Sequence, residues 1–156
     1  MSPLSPPLIK FMIPIIMWVL AFFSFIYAMI LKNKENRRIA EMLDNLEKVK
    51  HLKFAKEDFL RSDRILATGV VGGDIKLGDR YLFSFYPVCI IPYIYIKKMK
   101  VKMSRIARNR FIYNLDITLK RPFQNIKIGF AKEDVAEKVR EFSLERKKDL
   151  NEKIEY

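Results

Sequence analysis

Residues Phe11 to Leu31 read FMIPIIMWVLAFFSFIYAMIL, 21 positions without a charge and with only Pro14 and Ser24 as mild exceptions. At about 1.5 Å of rise per residue, such a helix covers roughly 31 Å, close to the hydrocarbon thickness of a bilayer. A helix buried in a soluble core keeps a polar face at every third or fourth position, and this run has none. It is therefore expected to cross a membrane once. The N-terminal flank offers Lys10 and the terminal amine, whereas Lys32, Lys34, Arg37 and Arg38 follow the run. The bias of Lys and Arg toward the inner side places the N-terminus outside and residues 32–156 in the cytoplasm, at the cell membrane. The run exceeds the apolar length of a typical signal peptide and ends without a small-x-small cleavage pattern, so residues 1–31 read as an uncleaved signal-anchor. Pro14 is expected to kink this helix or to lie near its true start.

About 125 residues follow the run, enough for one domain of ordinary size. The chain carries 30 Lys and Arg against 18 Asp and Glu, a formal charge of +12 that favours anionic surfaces as partners. Its only cysteine, Cys89, sits in the apolar stretch Pro87-Val88-Cys89-Ile90-Ile91 and reads as a small core residue. With one Cys and one His, His51, no zinc site of the usual composition is expected.

Residues 32–61 look helical, because Ile39, Met42, Leu43, Leu46, Val49 and Leu52 recur at steps of three and four. This amphipathic stalk lacks Gly and Pro and is near charge balance; its apolar stripe could pack on the following domain or on another subunit. From Arg64 the pattern changes to strands. Ile65–Val71 is followed by turn signals at Gly72-Gly73-Asp74 and Lys76-Leu77-Gly78-Asp79, then by the strand-like Tyr81–Tyr86 and Val88–Ile91. In Ile94–Met103 the apolar and basic residues alternate, which puts Met99, Val101 and Met103 on one face and Lys98, Lys100 and Lys102 on the other. Arg105–Arg110 reads as a loop, and Phe111–Leu119 and Asn125–Phe130 as two more strands. Lys132–Lys148 is an amphipathic helix, with residues 151–156 as a fraying tail. The fold class is α+β: a transmembrane helix (1–31), a stalk helix (32–61), six or seven antiparallel strands and a closing helix (62–150).

Two stretches carry a family likeness. Gly78-Asp79-Arg80-Tyr81-Leu82-Phe83-Ser84 and Ile90-Ile91-Pro92-Tyr93-Ile94-Tyr95-Ile96-Lys97-Lys98 resemble segments of bacterial PH-like, GRAM-related domains, over roughly 85 residues from Arg64 to Lys148. Tyr95 stands where that family commonly has an acidic residue. The resemblance implies a PH-like antiparallel β-barrel of two roughly orthogonal halves, plugged at one end by the C-terminal helix. It also implies a binding or assembly module for lipids, peptides or protein surfaces, an inference from fold alone.

The charge distribution has one gap: no Asp or Glu occurs between Asp79 and Asp116. Arg80 and seven cations within 14 residues fall there, namely Lys97, Lys98, Lys100, Lys102, Arg105, Arg108 and Arg110. This candidate patch fits anionic phospholipid or an acidic protein, or it guards an edge strand against aggregation; nucleic acid is the least favoured partner. The aromatic residues Tyr81, Phe83, Phe85, Tyr86, Tyr93, Tyr95, Phe111 and Tyr113 are expected to fill the core on alternate positions. Gly72-Gly73-Asp74 is no phosphate-binding loop, and no Ser-His or Cys-His arrangement is present, so no catalytic residue, cofactor or metal is expected. The reading that results is a single-pass binding or scaffold module, contacting a protein partner and anionic lipid. Its alternative is a small accessory subunit packed into a larger membrane complex through its span and stalk, with an oligomer through the stalk as a further option.

Overall fold

A computed structural model describes residues 6–70 and 73–154, with side chains from Met12 to Lys153. The expected first strand and glycine turn run partly through Val71 and Gly72, and the tail ends in Glu155 and Tyr156; these four lie outside the described residues. The chain divides into two compact units, Met1–Ala40 and Glu41–Tyr156.

The first unit is helical from Pro6 and belongs to helix α1 (Pro6–Lys48), with Pro14 inside the helix instead of at its start. Among the described residues it is the one helix long and apolar enough to cross a membrane. Met12 to Leu31 are exposed throughout, including Trp18 at 78 % and Phe23 at 63 %. In water that surface would be strongly unfavourable, whereas in lipid it is the face a spanning helix presents.

The second unit begins within the expected stalk. There the helix is not continuous to residue 61: α1 ends at Lys48, and a separate α2 spans Leu52–Arg61. Lys50 takes the left-handed conformation at φ 59°, His51 donates its backbone N–H to the Leu46 carbonyl and Lys50 donates to Glu47. This pair of bonds closes a helix C-terminus and is usually built around glycine. Lys50 fills the position instead, which is why the break leaves no mark in the Gly and Pro pattern. Met42 and Leu46 of α1 and Val49 just after it pack into the core of this unit, and Leu46 is fully buried.

Among the described residues seven strands follow: β1 (Arg64–Ala67), β2 (Asp74–Leu77), β3 (Tyr81–Phe85), β4 (Val88–Pro92), β5 (Ile96–Ala107), β6 (Arg110–Leu119) and β7 (Ile126–Phe130). They form two antiparallel meanders, β1-β2-β3-β4 and β5-β6-β7. Asp74–Leu77, expected as turn residues, form a strand because Ile75 and Leu77 alternate into the core at 0 % and 5 % exposure. The expected closed barrel is not formed. A single 3₁₀ turn, Tyr93–Tyr95, separates β4 from β5, and the two meanders remain separate sheets. Among the described residues one backbone bond, from the Ala131 N–H to the Thr68 carbonyl, joins the region after β7 to the region after β1. One bond is no ladder, and it cannot close the circuit.

The C-terminal helix α3 (Glu133–Ile154) runs six residues past Lys148, through most of the expected tail. It packs on the 3₁₀ turn, β5 and β6, and buries Ala136 and Val139. Ser143 donates its hydroxyl to the Val139 carbonyl at 2.7 Å, so this buried polar group is satisfied within the helix.

Candidate functional site

Strand β5 is the edge of its sheet, and its alternation is that of the sequence. Lys98, Lys100 and Lys102 pair across to Thr118, Asp116 and Asn114, while Met99, Val101 and Met103 pair to Ile117, Leu115 and Tyr113. The first set forms the outer face and the second the core face. All seven candidate cations are exposed, but they do not form one cluster. Lys98, Lys100 and Lys102 stand in a row, and Lys97 occupies a register irregularity between Ile96 and Lys98. Arg105 lies on the opposite face, opposite Phe111. It folds back on the hairpin end, donating Nε to the Ala107 carbonyl at 3.3 Å and Nη2 to that of Arg108 at 2.6 Å. Arg108 is in the turn and Arg110 opens β6. The expected loop at Arg105–Arg110 is thus mostly strand, with only Arg108 and Asn109 as the turn.

Tertiary pairing changes the charge of this surface. Asp116 is brought across β5 into the lysine row, 2.7 Å from Lys102 Nζ and 3.8 Å from Lys127 Nζ. The Lys102 hydrogen bond comes first among the causes that hold the Asp116 carboxyl below its usual range, against some opposition from burial. The outer face therefore carries Lys98, Lys100, Lys102 and Lys127 against one carboxylate. Lys127 was absent from the sequence-derived patch because it lies 17 residues beyond Arg110. The alternation Ile126-Lys127-Ile128 was the signal for it.

The aromatic residues divide. Tyr81, Phe83 and Tyr93 are buried, Tyr95 and Tyr113 are half-buried, and Phe85, Tyr86 and Phe111 are 43 %, 58 % and 46 % exposed. Phe59 of α2 covers Phe83 edge-on at 5.1 Å between ring centres, and its other neighbour Phe85 closes a shallow apolar groove of about 650 Å3 between α2 and β3–β4. Cys89 lines this groove and is buried.

A second constellation organises the Gly78–Tyr81 turn. The buried Asp58 carboxylate of α2 accepts the backbone N–H groups of Asp79, Arg80 and Tyr81 at 2.9, 2.9 and 3.0 Å. A Cβ at residue 78 would run into that carboxylate, so the close approach requires glycine. Tyr93 donates its hydroxyl to the Gly78 carbonyl at 3.2 Å, and its burial holds the phenol well above the ordinary range. Asp79 meets Arg146 of α3 at 3.5 Å. Asp79 lies in the turn between β2 and β3, whereas Asp116 lies on β6 of the other sheet, and among the described residues no group of three His, Cys, Asp or Glu is placed to hold a metal.

His51, at the break between α1 and α2, sits edge-on to Phe54, Tyr81 and Tyr95. Its Nδ1 is 2.6 Å from the Tyr81 hydroxyl, whose pKa burial pushes up to about 12. Burial first, and the Arg80 cation second, hold His51 below 6.5. The folded state therefore binds this proton less readily than the unfolded chain does. Stability present above pH 6.5 is lost as pH falls through that value, and the loss continues until pH reaches the depressed folded value. Thermal midpoints by near-ultraviolet circular dichroism should fall between pH 7.5 and 5.5, with a smaller fall in His51→Gln. An unchanged slope in that variant would remove His51 as the cause.

Comparison with protein-family models, curated proteins and solved structures finds no match to this chain.

Proposed function

We propose that the chain is a membrane-anchored, PH-like binding module that holds a protein partner at the cytoplasmic face and rests its basic hairpin on anionic lipid. The apolar helix 11–31 is the anchor, and Glu41–Tyr156 the module. Two antiparallel meanders of four and three strands, followed by a helix packed on the core, support the PH-like reading. The single observation that carries the lipid contact is the row Lys98-Lys100-Lys102, extended by Lys127 across β6, on one exposed sheet face. Each cation held near an anionic leaflet contributes on the order of 1 kcal/mol, so a row of three is enough to orient a module that is already tethered. β5 and β7 are both edges of this sheet, so edge protection accounts for lysines on either; it predicts no response to anionic lipid, which is the quantity the following test measures.

The test uses the full chain in nanodiscs of phosphatidylcholine alone or doped with phosphatidylserine. Trypsin cleavage at Arg108 should be slower by about tenfold or more with phosphatidylserine at low salt, and the protection should fade as salt rises. Combining Lys98→Glu, Lys100→Glu and Lys102→Glu should abolish the difference. Equal cleavage of the unmodified chain in both nanodiscs would overturn the lipid contact. Co-purification in mild detergent, with and without residues 1–31, addresses the partner; a partner retained without the span would assign its binding to the module.

A further inference from the structure

The β5–β6 hairpin is longer than the sheet that supports it. Strand β7 pairs with β6 only from Tyr113 to Ile117, so the pairs Ser104–Ile112, Arg105–Phe111 and Ala107–Arg110 form a two-stranded ribbon beyond the third strand. At about 3.3 Å per residue, the four residues from Ser104 to Ala107 carry the turn roughly 13 Å past the sheet. The core face of β5 and β6 continues onto this ribbon with no core beneath it. On that face Met103 is 63 % exposed and Phe111 46 %, whereas Met99, Leu115 and Ile117, further along the same strands, are buried; Ile106, in the bulge between Arg105 and Ala107, is 66 % exposed.

This end is built, not frayed. Arg105 ties the Ala107 and Arg108 carbonyls across the turn, and Asn114 donates to the Ser104 hydroxyl at 2.9 Å at the base of the ribbon. Lys102 and Arg110 stand next in the chain to Met103 and Phe111 but alternate onto the outer face, Arg108 lies in the turn, and no carboxylate occurs between Asp79 and Asp116. A strand edge that only resists aggregation has no use for an exposed Met, Ile and Phe on its projecting end, since they raise the hazard that lysines reduce. An anionic bilayer offers what both sets of side chains need: a charged layer for the cations and, a few ångströms deeper, an apolar phase. The same chain carries a helix long and apolar enough to lie in such a bilayer.

We propose that the hairpin end inserts Met103, Ile106 and Phe111 into an anionic leaflet while Lys102, Arg108 and Arg110 hold its head groups. The proposal rests on the reading that this hairpin faces anionic lipid, and adds that the contact penetrates the surface.

Because Trp18 is the only tryptophan, the full chain carrying Trp18→Phe and Ile106→Trp has one emitter, at the hairpin end. In phosphatidylserine-doped nanodiscs its emission should shift to the blue. Lipids brominated on their acyl chains should quench it about tenfold more strongly there than in phosphatidylcholine alone. Emission that stays at the water-exposed wavelength and escapes quenching overturns insertion, as does equal quenching in both lipids. Moving the probe to Phe111→Trp, with Ile106 restored, should give the same result and guards against distortion of the bulge. Protection of Arg108 from trypsin without quenching would overturn insertion and leave the surface contact standing. Loss of both would overturn the lipid reading itself.

Discussion

Replacing Asp58 with alanine should lower the unfolding free energy by about 3 kcal/mol. The carboxylate is 7 % exposed and accepts three backbone N–H groups at the turn from β2 to β3. Hydrogen bonds to a charged acceptor contribute roughly 1.5–3 kcal/mol net, and donors left without a partner keep their desolvation cost. The three bonds share one acceptor, so their contributions do not simply add. Cys89 supplies the measurement, because it is the only cysteine and is 4 % exposed. Pulsed thiol labelling across a urea series, on the full chain in micelles, reports the fraction of modules unfolded. A loss below about 1 kcal/mol would mean that water replaces the carboxylate and that the turn does not depend on α2. The consequence reaches beyond stability. The turn precedes Tyr81-Leu82-Phe83, and Tyr93 at the junction of the two sheets bonds to Gly78 within it, so Asp58 indirectly holds one sheet against the other.

The second large effect is expected at Leu46. Truncation to alanine should cost about 3 kcal/mol, the middle of the range for a buried leucine whose surroundings collapse only in part. Leu46 is fully buried in the core of the second unit, while Leu43, one turn earlier, is 39 % exposed. Leu43→Ala should therefore cost under about 1 kcal/mol by the same thiol assay. Equal losses at the two positions would show that the final turns of α1 are held by helix propensity and not by their packing on the module.

Much of this architecture can be read in the residues. The alternation of Lys98 to Met103 assigned two faces before any pairing was known, and of the stripe Ile39, Met42, Leu43, Leu46, Val49 and Leu52, Met42, Leu46 and Val49 reach the core whereas Leu43 and Leu52 stay exposed. These readings worked where they depend on one element and its solvent. The missed features depend on elements distant in sequence. Asp58 lies in a helical, charged stretch and looks like any solvated carboxylate; only its approach to residues 79–81 makes it structural. Lys50 replaces the glycine that would have announced the break in the helix. Asp74–Leu77 is too short for its alternation to stand out between glycines, and it becomes a strand because two neighbours supply its hydrogen bonds. The basic segment was found by counting charge, but counting could not place Asp116 within it, add Lys127 to it or turn Arg105 away from it.

The run Phe11–Leu31 determined one thing without help: a helix of this length and composition needs an apolar surrounding, because solvation of its side chains is local and additive. Sequence also determined that a mixed α and β domain follows, since periods of two and of 3.6 are properties of single strands and helices. Whether the strands close was decided only in three dimensions, by the turn at Tyr93–Tyr95 that keeps the two meanders apart. So was the exposure of Met103, Ile106 and Phe111, residues whose composition says core. β7 is five residues long and β6 is ten. Where the third strand stops, the sheet can no longer bury what the hairpin carries, and an apolar row leaves the interior for the surface.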